Sequence, residues 1–232
     1  MNQTAIKLIR IIIFLALLVS FVPKQDVNAA GLCYVNSNAV SGTNNGTSWS
    51  NAYISLQSAI ADTCTEIWVA SGTYKPHASD RLVSFALENG VAIYGGFTGS
   101  ETVRTQRNPA TNVTILNGDI DNDDTNTDNN NIAETPANII GNNSYHVVTG
   151  SGTNSTAILD GFTITSGQAN GVNQHAVGGG MFNEAGSPSV INSIFSGNTA
   201  TVWGGGMFNN ISSPSVSNTT FSGNSANNGG GM

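Results

Sequence analysis

After the first thirty residues apolar side chains come mostly in runs of two to four, separated by Gly, Asn, Ser and Pro, and near the C-terminus one such arrangement is written twice. GGGMFNEAGSPSVINSIFSGNTATVW begins at Gly178 and ends at Trp203. GGGMFNNISSPSVSNTTFSGNSANN begins at Gly204 and ends at Asn228, before a third GGGM opens at Gly229. A period of about 25 residues marks a solenoid, a propeller or an array. No apolar stripe at i, i+3, i+4 runs through it, which argues against helix-pair repeats, and a propeller blade needs about 40 residues or more. One repeat therefore reads as three short strands joined by sharp corners, stacked turn on turn.

Aligning the two copies separates inside from outside. Met181/Met207, Phe182/Phe208, Val190/Val216 and Phe195/Phe221 stay apolar and are expected to point inward. Ile191/Ser217 and Ile194/Thr220 exchange apolar for polar, which places them on the solvent side. Gly180/Gly206 match, as do Asn183/Asn209, Asn192/Asn218 and Asn198/Asn224. Asn tolerates the left-handed backbone of a tight corner, and stacked amides hydrogen-bond from turn to turn.

GGGMFN followed by FSGN resembles the Gly-Gly-x-x and Phe-x-x-Asn repeats of the polymorphic outer-membrane protein family, over roughly the last quarter of the chain. More broadly it resembles bacterial right-handed parallel β-helix surface proteins. The run from Tyr34-Val35-Asn36 through Thr47-Ser48-Trp49 to Gly72-Thr73-Tyr74 is similar to the N-terminal cap of pectate-lyase-like β-helix proteins. The fold expected is all-β, a right-handed parallel β-helix with an N-terminal capping helix. The resemblance implies association with an outer membrane.

Upstream the periodicity loosens. Ile67-Trp68-Val69, Val91-Ala92-Ile93 and Val113-Thr114-Ile115 follow at nearly the same spacing, and are expected to be equivalent strands of successive turns. Val147-Val148 and Ala157-Ile158-Leu159 continue the series, and Gly161-Phe162-Thr163-Ile164 reads as a degenerate FSGN strand. About seven turns at about 4.8 Å each give a rod of about 35 Å. A helix is expected over residues 50–60, capped by Ser50 or Asn51, with Tyr53, Leu56 and Ile60 on one face. It is the candidate end cap, with Trp49 in cap packing rather than as a sugar platform.

Three segments result: a signal peptide over 1–29, a cap over 30–65, and stacked turns over 66–232, regular from 178. Lys7 and Arg10 precede the apolar run 11–22, and Val27-Asn28-Ala29 offers a cleavage site before Ala30. A run of twelve residues is short for a membrane span, a retained anchor being the alternative, and no second run of spanning length follows. The expected location is secreted or at the cell surface. The chain stops four residues into a new turn, so it reads as a truncated fragment whose open end invites end-to-end stacking.

Charged residues make up only 9% of the chain, which suits an exported β-solenoid. Cleavage removes three cations and one carboxylate, taking the net charge from −7 to −9 and leaving Lys75, Arg81, Arg104 and Arg107. Four cations are too few for a phosphate backbone, which argues against nucleic acid. Cys33 and Cys64 read as a disulfide in an exported chain, with two buried free thiols as the alternative. His77, His146 and His175 are scattered and read as unpaired.

The widest insertion, between Ile115 and Val147, carries Asp119, Asp121, Asp123, Asp124 and Asp128. Carboxylates at alternate residues match a weak extracellular calcium loop, calcium being the one cofactor expected, against a merely solvated acidic loop. Arg104 and Arg107 suit a carboxylated sugar, or pairing with Glu101 or a backbone carbonyl. No catalytic set is identified. The Asn-Thr-Asp and Asp-Asp pairs of polygalacturonases occur in reverse order, and their Gly-His-Gly and Arg-Ile-Lys are missing. The function expected is an adhesin-like or stalk module that binds carbohydrate or a cell-surface ligand without catalysis. The alternative is a calcium-assisted polysaccharide lyase or glycoside hydrolase.

Overall fold

A computed structural model of the chain describes residues 31–232; the expected signal peptide lies outside the described residues. Strands of two to six residues cannot satisfy their own N–H and C=O groups, so each takes partners from another pass of the chain. Among the described residues every strand-to-strand pairing is parallel, and an isolated bridge between Asp119 and Asn143 runs antiparallel. The first sheet stacks Leu32–Val35, Glu66–Ala70, Ala92–Phe97, Ile158–Asp160, Ser189–Ile191 and Ser215–Ser217 in chain order. The second stacks Gly72–Tyr74, Thr114–Asn117, Thr163–Thr165, Ile194–Ser196 and Thr220–Ser222. The third holds Phe85–Ala86, Val148–Thr149, Met181–Glu184 and Met207–Asn210. A smaller sheet pairs Gln168–Ala169 with Thr199–Ala200. The chain is thus all-β, built of parallel sheets visited in a repeating order.

The written repeat is a structural register. Met181 pairs with Met207, Val190 with Val216 and Phe195 with Phe221, so like residues lie on like. Met181, Val190, Phe195 and Met207 are fully buried in one core with Ile67, Ile93, Leu159 and Ile164, and Ile194 stays exposed as expected. Gly180 is required by the same stacking. A Cβ there would lie 2.4 Å from the carbonyl oxygen of Gly206 and 2.8 Å from the Phe195 ring. The three asparagine pairs bond from turn to turn, through Asn183 to Asn209 (2.8 Å), Asn218 to Asn192 (3.2 Å) and Asn198 to Asn224 (2.9 Å). Among them only Asn192 and Asn218 take the left-handed backbone.

Three expectations are corrected. Phe182 and Phe208 do not enter the interior: each follows a fully buried Met on its strand and faces the opposite side, where the two rings stack at 5.9 Å. The near-equal upstream spacing is not the register. Ile67 pairs with Ile93 and Ile93 with Leu159, while Thr114–Asn117 belongs to the second sheet. The first sheet has six strands against the seven turns expected. Gly161–Ile164 does behave as expected, Ile164 pairing with Phe195.

The helix is shorter than residues 50–60 and spans Leu56–Ile60. Trp49–Asn51 is a 3-10 turn capped by Ser48, whose hydroxyl accepts from Asn51 N–H, and Tyr53 bridges to Val35 in extended form. Asn44 and Asn51 side chains accept from Ile54 and Thr43 N–H and hold this stretch open. Leu56 and Ala59 still seal the core beside Cys33 and Cys64, which form the expected disulfide. Trp49 packs among Tyr34, Trp68 and Phe97, and its Nε1 donates to the Glu101 carbonyl at 2.9 Å. Among the described residues no helix is long and apolar enough to cross a membrane.

Asn198 is fully buried; its amide donates to Ile164 and Asn224, and its oxygen accepts from Gly167 N–H. Asn198→Ala strands these partners and is expected to cost about 3 kcal/mol in chemical denaturation. Asn210→Ala, at an exposed site whose amide reaches Glu184 at 3.3 Å, is expected to cost under about 1 kcal/mol. Reducing the disulfide, which joins cysteines 31 residues apart, is expected to lower unfolding stability by about 3 kcal/mol.

Candidate functional site

Where the first sheet turns into the second, one polar side chain from each turn lines up. Asp160 ends its strand, and Asn192 and Asn218 directly follow the two equivalent strands. Asn218 donates to Asn192 Oδ1 and Asn192 to Asp160 Oδ1 (2.9 Å). Asp160 Oδ2 takes an ion pair from Arg107 at 2.6 Å, with both side chains largely buried. Arg107 also donates to the carbonyls of Gly95 and Asp160. Tyr94 lies under both arginines, 4.5 Å from the Arg104 guanidinium and 5.2 Å from that of Arg107, and Arg104 reaches Glu66 at 3.4 Å. Burial pushes the Tyr94 hydroxyl up, so it stays protonated.

The loop 98–113, inserted after Ala92–Phe97, supplies both arginines and one wall of a cleft of about 820 Å³. Exposed Ile194, Asn218 and Thr220 form the other wall. Such a surface offers an arginine, amides and hydroxyls beside apolar side chains. Glu101 does not pair with either arginine. Its carboxylate accepts from the N–H groups of Thr98, Gly99 and Ser100 and shapes its own loop.

The acidic insertion folds back on itself. Asp119, Asp123 and Asp124 bring carboxylate oxygens within 4.8 Å of one another. Asp119 accepts from the N–H of Asn122 and Asp123, Asp124 from Ile140 N–H and Asn143 Nδ2, and Asp121 from Asn142 N–H. Asp128 bonds to Asn130 and stays outside the cluster. Lys75 enters from the other side, 3.9 Å from Asp119 and 2.7 Å from Asn122 Oδ1. Burial pushes its ammonium down, against the pull of Asp119 and Asp124. Burial pushes the Asp124 carboxyl up. Lys75 also lines a second cleft, of about 780 Å³, with Gln57, His77 and Ile120.

The histidines are not all unpaired. His77 accepts from Ser79 and Asp80 N–H at the surface, whereas His146 is buried and meets His175. Burial pushes His146 down to about 4. No spacing in the sequence signals this pair, which is 29 residues apart and lies outside the written repeat. Arg81 stacks on Tyr145 and donates to Asn143, Gln168 and Asn170.

The chain matches no protein-family model, no curated protein and no solved structure. Its chemistry therefore rests on the geometry above. Arg107→Met leaves Asp160 buried without its cation and is expected to destabilise by about 3–5 kcal/mol. The pair Arg107→Met with Asp160→Leu is expected to recover most of that loss in thermal melts.

Proposed function

We propose that this chain is an exported, surface-presented right-handed parallel β-helix that binds extended carbohydrate along its flank and does not cut it. The observation that carries the binding reading is the ladder Arg107–Asp160–Asn192–Asn218 beside the open cleft. It repeats polar hydrogen-bonding groups at the strand spacing of about 4.8 Å, a pitch suited to a polymer of hydroxyl-bearing units. The exposed arginine and the apolar Ile194 across the cleft match the mixed character of a sugar ring. The β-helix part draws its support from three parallel sheets stacked in register and from the resemblance of GGGMFN and FSGN to polymorphic outer-membrane protein repeats. Export and surface location rest on the leader-like segment 1–29 and the same resemblance.

One observation favours a second reading, a calcium-assisted polysaccharide lyase. Lys75 stands beside converging carboxylates in a cleft, the pairing of base and cation site that such chemistry requires. The oxygen-only donors Asp119, Asp123 and Asp124 fit a hard cation. Calcium there would supply charge to neutralise a sugar carboxylate, with Lys75 as the group placed to move a proton.

A single assay separates these readings. The chain is incubated with immobilised neutral and acidic polysaccharides, with and without millimolar calcium, and both bound protein and polymer length are followed. Binding without shortening, weakened about tenfold or more in Arg104→Ala and Asn218→Ala, is the expected result for two lost polar contacts. Shortening that needs calcium and disappears in Lys75→Met would replace it with the lyase reading. Neither binding nor shortening removes both.

A further inference from the structure

His146 and His175 meet on the side of the third sheet opposite Met181, where the His146 ring stacks on Phe182 at 4.9 Å. Nδ1 of His146 lies 2.9 Å from the carbonyl oxygen of Gly178. A carbonyl only accepts, so Nδ1 carries the hydrogen and Nε2 presents its lone pair. That lone pair faces Nδ1 of His175 at 3.4 Å, with ring centroids 5.5 Å apart, so both nitrogens lie between the rings. The separation is long for a hydrogen bond. It matches two nitrogens sharing one tetrahedral cation, which at zinc–imidazole bonds of about 2.0–2.1 Å stand about 3.4 Å apart.

We propose that His146 Nε2 and His175 Nδ1 form a two-imidazole site for a divalent d-block cation of the zinc class, with solvent completing its shell. The surroundings are built for ligation. The Gly178 carbonyl fixes the tautomer and orientation of His146, the role such second partners play at histidine–metal centres. His175 is set by its stack on Tyr145 at 4.8 Å and by the 3-10 turn Asn173–Ala176, whose carbonyl at His175 accepts from Gly171 N–H. His146 is buried and His175 half-exposed, so the pair lies at the edge of the interior with one ring in reach of water. The nearby cation, Arg81, is occupied by the Tyr145 ring and by Asn143, Gln168 and Asn170. Imidazole selects borderline metals, whereas the Asp119–Asp123–Asp124 oxygens select hard ones, so the two sites are chemically distinct.

The test titrates the full chain, made without a polyhistidine tag, with zinc chloride and separately with calcium chloride by calorimetry. Histidine ring 15N shifts are followed in the same zinc series. The expected result is one zinc per chain, shifts confined to His146 and His175, and loss of that binding in His175→Phe, which keeps a ring on Tyr145. Calcium is expected to leave both ring signals unmoved. Unchanged zinc binding in His175→Phe overturns the proposal. Wild-type ring shifts that stay still at millimolar zinc overturn it too, without reference to any variant's folding.

Discussion

Turn-on-turn parallel pairing is the constraint on which the rest depends. Strands this short have no internal way to satisfy their backbone groups, and the next pass of the chain is the partner each one finds. The two written copies pair without any shift in register, so a residue at one level sits under its equivalent at the next. Each position must then tolerate its own image about 4.8 Å away. Methionine, valine and phenylalanine do so in the interior by dispersion contact, and asparagine does so by passing its amide hydrogens along the stack. Glycine is needed at Gly180 and Gly206 because the next turn's carbonyl occupies the space of a side chain. A stacked carboxylate or ammonium has no such remedy, since like charges repel. The low content of charged residues, 9%, follows from the same geometry.

That constraint also explains where charges are allowed. The arginines and the lysine of the described residues all come from positions outside the written repeat, and each is held by acceptors or an aromatic face. Arg107 shows how this works at a corner. Its guanidinium closes the ladder at Asp160, giving the amide series a charged terminus instead of an unpaired acceptor. A buried pair of this kind adds little net stability over an apolar replacement, yet it fixes which side chains face the cleft.

Legibility follows the repeat. Between Gly178 and Asn228 two aligned copies disclose the register, the solvent side and all three amide pairs, because the copies differ only where the structure permits it. Upstream, single runs of three apolar residues carry no sheet identity, so Thr114–Asn117 reads as part of the first sheet although it belongs to the second. Phe182 reads as pointing inward because identity between copies records stacking as well as a place in the interior; the ring is buried, but under Phe208 and His146 on the opposite face of its strand. The helix reads too long because Tyr53 keeps helical spacing while its backbone bridges to Val35. Of the five acidic residues, Asp119, Asp123 and Asp124 converge. Alternation picks out the first two, but it also picks Asp121, which turns to Asn142 N–H instead, and it skips Asp124. Asp128 is separated by a turn that spacing does not encode.

The distinctive chemistry gathers in the turns that break the period. The loop with Arg104 and Arg107 and the loop with Asp119–Asp124 both interrupt the pass between Ala92 and Ile158, the longest interval between neighbouring strands of the first sheet. His175 lies in another insertion, directly before the first full repeat. An insertion placed on a stacked scaffold costs little, since loop closure grows only slowly with length and the sheets beneath remain paired. It gains a rigid platform on which polar groups keep fixed separations. The regular turns therefore supply spacing and the irregular ones supply chemistry. Asp160, Asn192 and Asn218 are where the two meet, because a repeated corner there runs directly into a guanidinium carried by an insertion.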